Sequence, residues 1–159
     1  VSASRGCRRL LSCDVDEATR IAALLGAHPL APVLTSMPGV AVRTGARILA
    51  EVGDPSAFPT AAHLASYAGL PPTTTRRSGT SIRGEGPPRG GNKPLKRALF
   101  LASLASLNSP GSRAYYDKKR AEKKCHNAAL ICLTRRRVDV LHAMLKHRTL
   151  YQPGREQTA

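Results

Sequence analysis

The residues best suited to chemistry lie in one stretch, Arg76-Arg77-Ser78-Gly79-Thr80-Ser81-Ile82-Arg83-Gly84. A serine hydroxyl alone is a weak nucleophile, so attack on a phosphodiester needs a base or strong stabilisation of the developing charge. Arg76, Arg77, Arg83 and Arg89 are the stabilisers at hand, and Gly79 and Gly84 let backbone approach a phosphate closely. Ser78 is the candidate nucleophile and Ser81 the fallback. The plain alternative is a polar loop hydroxyl with no chemistry.

Two further regions have the composition of phosphate contacts. Leu34 to Leu49 (LTSMPGVAVRTGARIL) has the pattern of a helix-hairpin-helix, in which a Pro38-Gly39-Val40 turn exposes backbone N–H groups at a helix start. Orphan amides and the helix dipole both favour an anion there, and Arg43 and Arg47 add charge. Ala41 stands where the motif has its second glycine, and ordinary packing of two helices remains the alternative. The segment 113–124 and the run Arg135-Arg136-Arg137 form the other region. Successive helical residues are about 100° apart, so the three arginines cannot all face water, and at least one must pair with an acid or a phosphate. Tyr115 and Tyr116 are either core fillers or contacts to sugars and bases.

Charge points the same way. The 159 residues hold 25 Lys and Arg against 10 Asp and Glu, a net +15 that suits a polyanionic partner. Residues 1–75 contain six basic and five acidic residues, and residues 76–137 contain sixteen and three. The cationic footprint is therefore localised.

Other chemistries find no support. Ser78 sits in Arg-Arg-Ser-Gly-Thr rather than in a GxSxG elbow, and HExxH is absent. His28, His63, His126, His142 and His147 lack ligand spacing, and Asp54, Glu85, Asp117 and Asp139 form no evident two-metal set. No metal or other cofactor is expected in this chain. Cys7, Cys13, Cys125 and Cys132 lack CxxC spacing and are expected as buried or partly buried thiols. No apolar run approaches the roughly 18–20 residues that span a bilayer, so a soluble, cytoplasmic protein is expected.

The elements that must position these residues are mainly α. With aromatics at 4% and no Trp, the core must be Ala, Leu, Val and Ile. A helix from Asp14 stops before Gly26, and Pro29 and Pro32 impose a break. Helical spacing resumes from Val42 to Gly53. Thr60 caps a helix over Ala61 to Tyr67, which Gly69-Leu70-Pro71-Pro72 ends. Thr73 to Gly91, with five Gly and several Arg, reads as a long functional loop with room for a short hairpin. Asn92 caps a helix from Lys93 to Leu107, Ser109-Pro110 opens a polar helix to about Lys124, and a last helix runs from His126 to Lys146. The expected organisation is a poorly ordered lead-in over 1–13, a helical connector over 14–32, a functional domain over 33–151 and a flexible tail over 152–159.

The order PGV, AGL-P, SGTS-RGE and GNK-LKRALF, continuing through SRAYYDKKRAEKKCHNAALICLTRRRVDVLHAMLKHRTLYQP, resembles the carboxy-terminal transposase domain of the insertion-sequence "one-ten" family. The likeness runs from about Ile21 to Pro153. It implies DNA strand cleavage and transfer in transposition through a covalent phosphoserine intermediate, with Ser78 as the nucleophile. Phosphate would be held by Arg76, Arg77, Arg83, Lys93 and Arg97, with Arg43, Arg89 and Asn92 beside them. It also implies a RuvC-like partner domain that binds Mg²⁺, a structured guide RNA, DNA and a homo-oligomer. That partner domain is expected to precede Asp14, so this chain alone is expected to bind nucleic acid without transposing. A non-catalytic helix-hairpin-helix binding protein, or an inactive transposase remnant, is the alternative.

Overall fold

The structure, a computed structural model, describes residues 17–70, 73–77, 81–86 and 90–153, with backbone alone for 73–77 and 81–86. It is mainly helical. Helix α1 covers residues 17–26, followed by α2 (Ala31–Thr35), α3 (Val42–Val52), a 3₁₀ turn (Pro55–Ala57) and α4 (Ala61–Tyr67). Strands β1 (Thr73–Arg77) and β2 (Ser81–Gly86) form an antiparallel hairpin. Helix α5 (Lys93–Ala105), a 3₁₀ turn (Ser106–Asn108), α6 (Pro110–Ala121) and α7 (His126–His147) complete the chain.

Local chemistry sets most of these boundaries. Thr60 accepts a hydrogen bond from the His63 N–H at the start of α4, and Asn92 accepts one from the Leu95 N–H at the start of α5, satisfying donors that have no partner inside a helix. Gly53, at φ 59°, closes α3.

Three expectations need correction. Pro32 does not break the chain but sits in the first turn of α2, where its missing N–H costs no helical bond. The helix opened by Asn92 ends at Ala105 and tightens into a 3₁₀ turn. There the Ser103 and Ser106 hydroxyls donate to the carbonyls of Leu99 and Ser103, and such back-bonding competes with regular helix. Ser109 adopts an extended cap conformation, but its side chain makes no capping bond.

The segment read as a loop is in part this hairpin. Three consecutive β-branched threonines favour the first strand. The register pairs Thr74 with Glu85 and Arg76 with Ile82, leaving an extra residue on β2 at Arg83-Gly84, where a bulge tolerates glycine.

One core lies between α2, α3, α4, α5 and the second half of α7, with Leu34, Ile48, Leu64, Leu95 and Leu141 essentially sealed from solvent. Each such side chain contributes about 1.5–3 kcal/mol of apolar burial. A smaller cluster of Tyr116, Ala129, Leu130 and Leu133 joins α6 to the first half of α7. His142 ties α7 to the segment after the first 3₁₀ turn through Nε2, 2.8 Å from the Phe58 carbonyl oxygen.

Candidate nucleic-acid interface

Helices α3 and α5 pack antiparallel: Glu51 near the end of α3 meets Asn92 at the start of α5, and Gly39 ahead of α3 meets Ala102 and Ser106 at the far end of α5. Along their shared outer face runs a groove of about 490 Å³, lined by Arg43, Thr44 and Arg47 of α3 and by Lys93, Pro94, Arg97, Ala98 and Leu101 of α5. Arg43 and Arg47 are four residues apart, as are Lys93 and Arg97, so each pair lies on one helical face. Two unit charges roughly 6 Å apart in water repel by only about 0.7 kcal/mol, so water alone tolerates the cluster.

One carboxylate moderates this charge. Glu51 lies 3.4 Å from the Arg47 guanidinium and accepts a 2.8 Å hydrogen bond from Asn92 Nδ2. That same amide donates to Tyr67 Oη at 3.0 Å, and the Asn92 backbone N–H donates to the Tyr67 carbonyl at 2.8 Å. Asn92 therefore caps α5 and fastens α3, α4 and α5 at one point.

The ends of the hairpin segment are pinched beside that point. Gly69 and Gly91 have φ of 69° and 89°, in the left-handed region that glycine enters without cost. A Cβ on Gly69 would stand 2.5 Å from the Gly90 carbonyl oxygen, and one on Gly91 would stand 2.7 Å from the Gly69 nitrogen. Only bare backbone fits on both sides of this crossing.

The Pro38-Gly39-Val40 turn lies at the other end of α5. Val40 is buried, Gly39 has φ 81°, and a Cβ there would overlap the Ala102 carbonyl oxygen. Arg137, 4% exposed, donates through Nη2 to the Pro38 carbonyl and lies 3.4 Å from Ser112 Oγ. Beyond the turn, Thr44 Oγ1 accepts from the Ala41 N–H and donates to the Ala41 carbonyl, both at 2.9 Å. That is the returning half of a capping box, whereas the Ala41 side chain at the cap position offers α3 no acceptor of its own.

Several expected site residues thus come together, and others do not. Arg43, Lys93 and Arg97 share the groove, with Arg47 as a fourth cation, and Asn92 braces it. Arg76 and Arg77 lie on β1 and Arg83 on β2, while Ser81 pairs with Arg77 at the start of β2. Ser78, Gly79 and Arg89 lie outside the described residues, as do Cys7 and Cys13. Sequence reasoning missed Glu51 and Tyr67. The i,i+4 spacing of Arg47 and Glu51 was a usable signal for the first, whereas nothing local marks Tyr67.

The arginine run resolves by division of labour. Arg135 pairs with Asp139, Arg136 lies 4.8 Å from the Tyr115 ring centroid, and Arg137 turns inward. Tyr116 is a core residue bonded to His126 Nδ1 at 2.6 Å. Cys132 is partly buried as expected, but Cys125 is exposed because it stands ahead of α7 at the cap position rather than on its inner face. Among the described residues, no three His, Cys, Asp or Glu side chains form a metal-binding group, and no helix is long and apolar enough to cross a membrane.

Fold and site together define a mainly helical, strongly cationic domain with four basic side chains along one groove. The chain belongs to the family described as Transposase IS116/IS110/IS902, which residues 31–117 match. It is 62% identical over 134 residues to the 43.6 kDa protein of insertion element IS110 from Streptomyces coelicolor, covering 84% of this chain and 33% of that protein. Identity to the 42 kDa protein of insertion element IS900 from Mycobacterium paratuberculosis is 43% over 129 residues, covering 80% and 32%. Identity to the pilin gene-inverting protein of Moraxella bovis is 31% over 119 residues, covering 73% and 37%. The chain therefore spans about a third of the length of these relatives.

Proposed function

We propose that this chain is the DNA-handling part of an insertion-sequence transposase, in which the α3–α5 groove holds a DNA phosphate backbone while Ser78 cleaves and rejoins a strand. The observation that carries the reading is the convergence of Arg43, Arg47, Lys93 and Arg97 in one groove, whose α5 wall begins just after the pinched base of the Ser78-bearing segment. The family match and the insertion-element names of the relatives support it. The pilin gene-inverting relative is named for a DNA rearrangement of another kind, which fits a shared strand-exchange chemistry.

In the proposed step, Ser78 Oγ forms a bond to phosphorus and one phosphodiester P–O bond breaks. The departing strand leaves as a hydroxyl after taking up a proton, and the serine remains as a phosphodiester to the other strand. A hydroxyl of the receiving strand then reverses the exchange, so the phosphodiester energy is conserved. Arg76, Arg77, Arg83 and Arg89 would stabilise the charge that builds on the phosphoryl oxygens. Gly79 would allow close approach.

The helix-hairpin-helix reading is part of the proposal in a modified form. The inner side of Gly39 is filled by α5, so the turn braces the fold, and the first turn of α3, where Ala41 supplies no side-chain acceptor, is the portion proposed to meet a phosphate. The family resemblance further suggests a RuvC-like partner domain with Mg²⁺, a guide RNA and an oligomeric enzyme working in the cytoplasm, with this chain alone inactive in transposition.

The test is covalent trapping on a nicked suicide DNA substrate with the partner domain supplied. An adduct that disappears in Ser78→Ala, with DNA binding retained, supports the reading. No adduct under any of these conditions leaves a non-catalytic binding module.

A further inference from the structure

No residue of α6 lines the groove. α5 is 13 residues long, a rise of about 18 Å at 1.5 Å per residue, and α6 begins beyond its far end. Together with the first half of α7, α6 forms an arm around a small core, against which Phe100 of α5 and Leu107 also pack, and which ends in the elbow at residues 121–126.

The elbow concentrates charge that the arm itself does not use. Asp117 is engaged by Arg113 at 3.2 Å, and Glu122 by Lys119 at 2.8 Å. The Lys119–Glu122 pairing holds the Glu122 carboxyl below its ordinary range and raises the Lys119 ammonium above its own. Arg120 donates to the Lys124 carbonyl at 2.6 Å and closes the turn. Lys118 and Lys123 are exposed, and among the described residues neither has a carboxylate partner within salt-bridge distance. Lys118 falls in the last turn of α6, where a cation also offsets the helix dipole. Lys123 lies past that turn.

Backbone geometry adds a second observation. Lys123 has φ 61°, a left-handed conformation that glycine adopts freely and a residue with a Cβ adopts at a cost. A glycine would serve the turn better, so the lysine there is explained by its charge and not by its backbone.

The aromatic side chains indicate the form of the partner. Tyr116 is buried, and the Tyr115 ring is covered by Arg136 at 4.8 Å and Lys119 at 5.6 Å. Single-stranded nucleic acid is typically held by bases stacked on open aromatic faces, and the arm offers none. Its chemistry is limited to backbone phosphates, presented as a dense regular array by a duplex.

We propose that the elbow around Lys118 and Lys123 is a second nucleic-acid site, which grips the phosphates of a DNA duplex without reading its sequence. This deepens the reading of the chain as a nucleic-acid binder and is independent of Ser78. Two separated cationic sites would let one domain hold two duplex segments, as joining one DNA to another requires.

The test uses the full chain and fluorescein-labelled DNA and RNA duplexes of about 12 base pairs, titrated by anisotropy at several salt concentrations. Lys118→Gln with Lys123→Gln should reduce the slope of log K against log salt by roughly 1.8, at about 0.9 per neutralised phosphate, with the helical signal unchanged. Lys123→Gly separates charge from structure: it should raise the melting temperature and still weaken DNA binding. If both variants bind DNA like the unaltered chain while Arg43→Gln with Arg97→Gln binds weakly, the arm is not a site and the groove reading survives. If neither set changes binding, both fall. Weakening confined to the RNA duplex would overturn the assignment to DNA.

Discussion

Asn92 Nδ2 lies 2.8 Å from Glu51 Oε2, joining the start of α5 to the end of α3 across 41 residues of sequence while the same side chain caps α5 through Oδ1. The pair holds the two walls of the cationic groove in register.

Asn92→Ala should therefore destabilise the fold by more than a simple cap. Loss of an N-cap costs about 1 kcal/mol, and leaving Glu51 short of a donor adds about 1–2 kcal/mol. Urea denaturation should show a total of about 2–3 kcal/mol. Asn92→Asp keeps the cap but sets a carboxylate against Glu51, so it should fall between the two.

The glycine crossing predicts a sharper effect. Gly69→Ala and Gly91→Ala each force a Cβ into the left-handed region, at about 1–2 kcal/mol, and into backbone 2.5 Å and 2.7 Å away. Each variant should lose more stability than Gly90→Ala, whose Cβ would meet nothing within 4 Å. Comparison of the three melting temperatures checks the relation.

Arg137 should matter more than either neighbour in its run. Arg137→Leu leaves the Pro38 carbonyl and Ser112 Oγ without the guanidinium, and each buried group left unsatisfied costs about 1–3 kcal/mol. Arg135→Gln removes a half-exposed i,i+4 pair with Asp139, for which about 0.3–0.5 kcal/mol is typical. Denaturation midpoints should rank the two variants in that order.

Acid sensitivity should have a local source at Asp54. Its carboxyl is held below the ordinary range by the Ser56 hydroxyl and then by the Ser56 N–H. A carboxylate with a lowered folded pKa stabilises the fold above its ordinary pKa, and that contribution fades as pH falls through the lowered value. Ser56→Ala removes the larger cause, so the variant should lose less stability than the unaltered chain on acidification through the carboxylate range. Melting temperatures measured between about pH 6 and 3 would show the flatter dependence.

Much of this architecture was legible because its signals are local. Thr60 and Asn92 announce α4 and α5 by side-chain bonds to amides three residues on, and the Leu130, Leu133, Val138, Leu141 and Leu145 stripe of α7 is buried throughout. The groove was legible only as separate charges. That Arg43 and Arg97 share a wall depends on how α3 docks on α5, and no spacing along the chain encodes that docking. Which arginine of Arg135-Arg136-Arg137 turns inward is likewise decided by a carbonyl 99 residues away. Cys125 shows the converse limit: a one-residue difference at a helix start moves a side chain from the inner face to solvent.

Whether the α3–α5 groove holds a DNA backbone is decided by neutralising it from both walls. Arg43→Gln with Arg97→Gln should keep the helical signal and lower the slope of log K against log salt for a DNA duplex by roughly 1.8, about 0.9 for each phosphate no longer neutralised. An unchanged slope and affinity in a folded double variant would show that the DNA backbone lies elsewhere.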